Sequence, residues 1–557
     1  VVTVTALSSP ALAATAAARS IGQPAFISLL DERAVAAREA AVEDGPLRGI
    51  PFAVKDNLDV AGLPSTGGCP TRTAPATSDS AAVARLAAAG AVPIGKTNMD
   101  QFATGLVGTR SPYGACHSVV SPLHVSGGSS SGSAVAVASG VVPLALGTDT
   151  AGSGRVPAAF NGLVGMKPTR GLVSTSGLLP ACPSLDCVTT FTRTVSLAAT
   201  ALGVLAAFDP DDPWSRPAPL AAPPQVATDM RVIAVPRELP DLDAVHAAAW
   251  SRAVEHAATL GRLVPVDIAP FLEAARLLYG GPFVAERYAA FGALLEPDGP
   301  HLDPTVRSIV LGGRDLSAAE LFAAMHRLAQ LKALAMPTFV GCDAVLLPVT
   351  PGHPTLAEVA ADPVGVNSRL GTYTNMVNLL DLCALALPAG SRSDGLPFGV
   401  QLVAPAFADR SLLTLGARWT GEGSAPALAP GRELLAVCGA HLSDQPKNGE
   451  LLELGGRLHR RARTAEGYRM HLVPGAFPRP GLVTADRGAG IDIEVWDLPA
   501  GATQALFSRV APPLTFGPTV LDDGTTVTGF VVDPSATELG ADITEFGGWR
   551  SYLLSIS

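Results

Sequence analysis

Charge is scarce in this chain, and so are aromatic rings. Only 16% of its 557 residues are charged and 5% are aromatic, and the acids outnumber the bases enough to leave a formal charge of −10. No dense Lys/Arg cluster interrupts that balance, which argues against nucleic acid as a main partner. Cysteine is equally sparse. Cys69, Cys116, Cys182, Cys187, Cys342, Cys383 and Cys438 form no C-x-x-C pair, and their odd number completes no disulfide framework. They read as packed thiols of a reducing compartment, with no metal site and no cofactor expected. No apolar stretch of membrane-spanning length is free of glycine, proline or turn signals, so no membrane partner is expected either. The opening VVTVTALSSPALAATAAARS is apolar but lacks a preceding basic segment. It is expected to be a truncated or cleaved start followed by a helix, in a cytoplasmic protein. What is abundant is small and apolar: 48% of residues are hydrophobic and 57 are glycine, enough for a large core and more than one domain.

The most informative stretch runs from Gly127 to Phe160, GGSSSGSAVAVASGVVPLALGTDTAGSGRVPAAF, where two glycine-rich, serine-bearing turns flank a smooth apolar segment. A serine hydroxyl becomes a useful nucleophile when it is exposed on a tight turn, beside a base and near N–H groups that receive an oxyanion. Ser129 occupies the first turn and Ser153 the second. Gly147, Gly152 and Gly154 let the backbone amides of Thr150, Ala151, Gly152 and Ser153 converge. Taken alone, Gly127 to Ser133 equally suits a flexible linker. The small apolar residues from Ala134 to Ala145 instead suit a buried helix and strand.

A nucleophile needs a base, and the ten histidines supply no triad context, His117 and His124 near the loop included. The better candidate is Lys55 in GIPFAVKDNLDVAG, delivered by an apolar run from Ile50 to Val54. Burial disfavours an ammonium and lowers a lysine pKa by several units from about 10.4, leaving a neutral amine near pH 7. The competing reading is an ordinary Lys55–Asp56 surface pair at a strand end.

With these residues in view, the chain resembles the amidase signature hydrolases, which use a Ser–cisSer–Lys triad. GTDTAGSGRVP matches that family's nucleophile motif, GGSS its bridging-serine turn and VKD its lysine motif. The resemblance implies Ser153 as nucleophile, Ser129 as a relay following a cis peptide, Lys55 as base, and Arg155 as a structural residue tying the turn to a carboxylate such as Asp149.

In LLYGGPFVAERYAAF, Tyr279 and Arg287 flank Gly280, Gly281 and Pro282, which break any helix between them. A guanidinium matches a carboxylate bidentately and a phenol adds one directional hydrogen bond, so the pair suggests an anionic substrate. The plainer alternative has Arg287 paired with Glu286 on a solvated helix and Tyr279 in the core. The pattern is similar to the one with which allophanate hydrolases hold the carboxylate of urea-1-carboxylate. That resemblance implies an N-terminal domain that deaminates allophanate to N-carboxycarbamate. It also implies a homodimer and association with urea carboxylase or another allophanate-producing enzyme. A general amidase, the amidase component of a tRNA-dependent amidotransferase, and a catalytically silent scaffold are the alternatives.

Apolar runs at 50–54, 91–94, 232–235 and 344–348 alternate with helical patterns at 81–89 and 244–260, which indicates α/β. The resemblance makes this an amidase signature fold, a mixed β-sheet core flanked by helices. The proline-dense stretch 209–224 reads as an exposed connection within it, and 396–419 as its closing strand, loop and helix. A Gly/Ala/Pro tract to Pro430, a short helix-like piece and a polar break at 443–449 then mark a boundary. The expected division is an amidase domain over 1–430, a linker over 431–449 and a second domain over 450–557. Alternating runs at 468–473, 491–498 and 526–532 make the second domain small and mostly β. GELLELGGRL, IEVWDLP and GGWRSYL resemble the C-terminal domain of allophanate hydrolases, which implies a γ-glutamyl-cyclotransferase-like fold and a role in decarboxylating the first product. His471 in YRMHLVPG is its candidate proton donor or carboxylate binder, against the plainer reading of a half-exposed strand residue, and Arg469, Arg550 and Glu494 are alternative pocket residues.

Overall fold

The computed structural model describes residues 9–42, 44–218, 231–422, 432–473, 479–485, 487–499, 502–507, 509–510, 512–532 and 540–556. These divide into two compact units, and the described residues from Arg432 onward belong to the second. The first is built on an eleven-stranded sheet: β1 (Phe26–Leu29), β2 (Pro51–Lys55), β3 (Val92–Thr97), β4 (Leu144–Asp149), β5 (Val164–Lys167), β6 (Cys187–Thr192), β7 (Arg231–Pro236), β8 (Gly261–Val266), β9 (Ala344–Pro348), β10 (Leu382–Ser391) and β11 (Pro397–Pro405). Their order is β1-β3-β2-β4-β6-β5-β10-β11-β9-β7-β8. β2 runs parallel to both β3 and β4, whereas the centre from β4 to β9 is antiparallel. The mixed α/β sheet expected from the sequence is present, and each anticipated run and helical pattern falls on an element within a few residues.

Burial explains the central strands. Every residue of β2, β3, β4, β5, β6 and β9 is buried, which is why PFAVK and LALGTD read as continuous rather than alternating patterns. Covering each Val, Leu or Phe stabilises the fold by about 1.5–3 kcal/mol. The helix Ser131–Ala138 is made of Ser, Gly, Ala and Val and is buried over seven of its eight residues. Its small side chains permit close approach: a Cβ on Gly132 would stand 2.2 Å from the Ala25 carbonyl oxygen and 2.6 Å from the Asn98 nitrogen. The segment read as either linker or core is core. The N-terminal helix runs Pro10–Arg19, with Ser9 accepting from the Leu12 N–H as its cap. The connection 209–224 is described only to residue 218. There Asp212 anchors it by accepting from the N–H and hydroxyl of Thr175 at 2.6 and 3.0 Å.

The second unit holds β12 (Arg432–Val437), β13 (Arg457–Arg463), β14 (Tyr468–Val473), β15 (Arg479–Thr484), β16 (Asp492–Pro499), β17 (Leu514–Val520) and β18 (Thr526–Val532). The order is β13-β16-β12-β18-β15-β14, with β17 on β18, and short helices follow at Asn448–Glu453, Ala502–Phe507 and Trp549–Ile556. This is the small, mainly β domain expected, but its start corrects the reading of 431–449 as a linker. Arg432–Val437 is a strand inside the sheet, antiparallel to β16 and parallel to β18. Leu435, Ala436 and Val437 are buried in succession because both faces of the strand are covered, and a short apolar run of that kind has no period that separates strand from helix. The Gly/Ala/Pro tract at 423–430 lies outside the described residues.

Candidate active site

Sheet register brings the lysine to the serines. With Phe52, Ala53 and Val54 of β2 opposite Leu144, Ala145 and Leu146 of β4, Lys55 at the end of β2 comes beside Thr148 near the end of β4. Lys55 Nζ donates to Thr148 Oγ1 at 2.7 Å and to Ser129 Oγ at 2.8 Å. The Ser129 turn is fastened to the same strand, since Ser130 Oγ donates to the Thr148 carbonyl at 3.1 Å and accepts from its N–H at 3.3 Å. The Gly128–Ser129 peptide is cis, as the family resemblance implied.

Lys55 and Ser129 are completely buried. Burial, the dominant influence, lowers the Lys55 pKa from 10.5 to about 7, with Arg287 acting the same way and Asp100, Asp186 and Asp149 opposing it. No carboxylate lies within ion-pair distance of Lys55 among the described residues, and the surface Lys55–Asp56 pair is excluded. Asp56 faces Lys96 instead, at 3.6 Å.

β4 ends at Asp149, and the next residues form the second serine turn. Arg155 grips Asp149 bidentately, Nε and Nη2 each at 2.9 Å, and reaches Gln401 Oε1 at 2.9 Å and the Thr374 carbonyl at 3.1 Å. Burial pushes the Asp149 carboxyl up, but the Arg155 guanidinium holds it below the ordinary range. Gly152 sits at φ +148, and a Cβ there would stand 2.4 Å from Thr374 Oγ1; only glycine fits. Among the described residues no hydrogen bond is donated by the N–H of Thr150, Ala151, Gly152 or Ser153, so four successive donors stay open on a turn beside the Ser153 hydroxyl. Such a nest suits a developing oxyanion.

Tyr279 and Arg287 converge as anticipated. The helices Ala269–Gly280 and Val284–Leu295 are separate, and Arg287 Nη2 donates to Tyr279 Oη at 3.0 Å while Nη1 reaches Thr104 Oγ1 at 2.9 Å. Arg287 is buried and does not pair with Glu286, which accepts from the N–H and hydroxyl of Ser184. Burial opposes the guanidinium charge, but Cys182, Tyr279 and Asp186 hold its pKa above the ordinary value; burial raises the Tyr279 phenol.

The histidines stay apart from this chemistry. His117 Nδ1 contacts the Ser118 carbonyl and His124 Nδ1 the Ser121 hydroxyl. In the second unit His471 lies on β14, with Nδ1 3.3 Å from the Gly540 carbonyl and Nε2 3.9 Å from Asp542. A cavity of about 450 Å³ in that unit is lined by Arg461, Arg463, Asp492, Asp522 and Arg550, without His471. Beside it the buried Glu494 accepts from Ser443 N at 2.7 Å and Arg550 Nη2 at 2.9 Å.

Sequence reading passed over two residues of the site. Thr148, the second partner of Lys55, stands next to Asp149 in the quoted motif, and only the pairing of β2 with β4 brings it to the lysine. Asp186 accepts from the Thr150 hydroxyl and from the N–H groups of Ala181 and Cys182 at 2.7 and 3.1 Å. Burial raises its pKa to about 6, and no local pattern marks it.

A buried lysine bonded to the serine of one glycine turn, and a second serine turn with open N–H donors at the end of the neighbouring strand, suit an amidohydrolase; no hydrogen bond among the described residues joins Ser129 to Ser153. The family model described as Amidase matches residues 16–413, and the chain belongs to that family. Residues 433–554 match the model described as allophanate hydrolase C-terminal domain. The chain is 41% identical to the urea amidolyase of Saccharomyces cerevisiae over 542 residues, covering 91% of this chain and 30% of that protein; it therefore spans about a third of the length of that relative. A solved structure of Kluyveromyces lactis allophanate hydrolase is 37% identical with a TM-score of 0.72, covering 99% of this chain and 98% of that one. A glutamyl-tRNA(Gln) amidotransferase component from Methylacidiphilum infernorum is 34% identical over 70% of this chain and 86% of its own length.

Proposed function

We propose that this chain hydrolyses allophanate, its first unit releasing ammonia through an acyl-enzyme on Ser153. The observation that carries the reading is the set of neutral contacts around a buried, charged Arg287: Tyr279, Thr104 and the Ala103 carbonyl hold the guanidinium but do not neutralise it, which suits the carboxylate of a small anionic amide. A substrate of so few atoms offers little apolar area, so its orientation has to come from charge-assisted hydrogen bonds. The match to the allophanate hydrolase C-terminal model and to K. lactis allophanate hydrolase supports the same substrate.

In this reading neutral Lys55 draws a proton through Ser129 as Ser153 Oγ attacks the amide carbonyl. The N–H groups of Thr150, Ala151, Gly152 and Ser153 hold the oxyanion. The relay returns the proton to the leaving nitrogen, ammonia departs, and water repeats the attack to free N-carboxycarbamate. The second unit, with His471 as its candidate group, assists loss of carbon dioxide from that product. An allophanate-producing enzyme such as urea carboxylase is the upstream partner, and the working form is a homodimer. Among the described residues no helix is long and apolar enough to cross a membrane.

The test is ammonia release from allophanate, malonamate and neutral amides by the wild type and by Ser153→Ala. Turnover of neutral amides with none on allophanate would overturn the substrate, and wild-type activity in Ser153→Ala would overturn the mechanism.

A further inference from the structure

Four arginines are fully or almost fully buried among the described residues: Arg110, Arg155, Arg287 and Arg392. Two of them have carboxylates, Asp149 for Arg155 and Asp394 for Arg392. The other two have none, and they meet at one residue. Arg110 Nη1 donates to the Thr104 carbonyl at 3.0 Å, and Arg287 Nη1 to the Thr104 hydroxyl at 2.9 Å. The remaining contacts of Arg110 are as neutral as those of Arg287: Nη2 reaches the Pro363 carbonyl at 2.5 Å, and the Nε–H is buried without an acceptor. Asp100 accepts from the backbone N–H groups of Gly108 and Arg110 at 3.0 and 2.9 Å and makes no bond to the guanidinium. Burial raises the Asp100 pKa, and the Arg110 guanidinium is the main charge opposing that rise, so Asp100 acts on Arg110 at a distance and not through a bond.

Burying a guanidinium with no carboxylate in ion-pair contact is unfavourable, and burying two around one threonine is more so, although Asp100 acts on Arg110 and Asp186 on Arg287 through space. An anion arriving between them removes that cost. A cavity of about 590 Å³ is lined by Arg110 together with Tyr279, the phenol partner of Arg287, and by Gly280, Pro282, Asn367 and Ser368, without Arg287 itself. Thr104 itself follows Phe102 and Ala103, whose φ angles of +50 and +51 are both left-handed, a conformation that two consecutive residues with side chains adopt only when neighbours hold them.

We propose that Arg110 is a second specificity-determining cation of the anion site: it lines the passage to the Tyr279–Arg287 pair and, through the Thr104 carbonyl, positions the hydroxyl that fixes Arg287. The inference rests on the reading of the substrate as an anionic amide. Arg110 acts on substrate through field and through Thr104, so it is a positioning residue, and its removal alters capture of the substrate rather than the bond-breaking step.

Steady-state kinetics of Arg110→Gln and Arg110→Lys on allophanate decide the matter. The Gln variant is expected to raise KM about tenfold or more with kcat changed less than about threefold, and the Lys variant, which keeps the charge but cannot bridge both carbonyls, to raise KM about threefold. A fall in kcat at constant KM, or no change in either constant, overturns the proposal. If the Gln variant does not fold, the Lys variant decides by the same criterion: KM up at unchanged kcat supports it, and unchanged KM overturns it. Absence of allophanate turnover in the wild type would instead remove the substrate reading, before any Arg110 variant is compared.

Discussion

Lys55 is costly to bury, and replacing it by methionine measures that cost. Its pKa falls from 10.5 in an unfolded chain to about 7 in the native one, so between these values the unfolded state binds the extra proton. The folded-state pKa is depressed on a base; the destabilisation is therefore full below pH 7 and relieved as pH rises toward 10.5. Linkage puts it at about 5 kcal/mol near pH 6 and about 2 kcal/mol near pH 9. Lys55→Met removes that term and also removes the hydrogen bonds to Ser129 and Thr148, worth about 1 kcal/mol each. The variant should be catalytically dead, more stable than wild type by about 3 kcal/mol near pH 6, and about equal to it near pH 9. Urea titrations of the amidase-unit transition at the two pH values provide the measurement. A stability difference that stays constant or widens with pH would refute the argument that Lys55 is held neutral by burial.

The same pKa sets the rate profile: kcat/KM on allophanate should fall about tenfold per pH step below 7 and level off above it, and a rise continuing past about pH 9 would mean an unperturbed lysine. Arg287→Ala should raise KM for allophanate by about 10- to 100-fold, the worth of charge-assisted hydrogen bonds, and affect a neutral amide far less; equal effects would remove it from the carboxylate site. Gly152→Ala places a Cβ 2.4 Å from Thr374 Oγ1 at a φ of +148, so ammonia release should drop at least about 100-fold as the oxyanion donors shift. Glu494→Ala strands the Ser443 N–H and the Trp496 indole N–H and should destabilise the second unit by about 2–4 kcal/mol in thermal unfolding.

The sequence made Lys55, Ser129 and Ser153 legible because each sits in a short segment whose composition has few explanations: a lone cation after an apolar strand, and serines on glycine turns. Tyr279 and Arg287 were legible because a Gly-Gly-Pro break stands between them. Asp186, Thr104 and Arg110 were not, since their meaning lies in contacts across the fold. Arg287 reaches Thr104 from 183 residues away and Arg110 reaches Pro363 from 253. The linker reading failed at Arg432–Val437 for a different reason, a strand covered on both faces having no alternation to read. The balance of neutral and charged partners around an arginine is likewise a property of the packed state alone.

The grip of Arg155 on Asp149 and Gln401 also bears on biosynthesis. Asp149 leaves the ribosome well before Gln401, which lies on β11, whereas the Asn378 and Thr374 partners of the same guanidinium precede Gln401 by only a few tens of residues. A nascent chain that has finished both serine turns still lacks the strand that locks Arg155 beside the second of them. The site is thus held unfinished until synthesis has passed Gln401, and a product terminated before it would display the serine motif with no fixed geometry behind it.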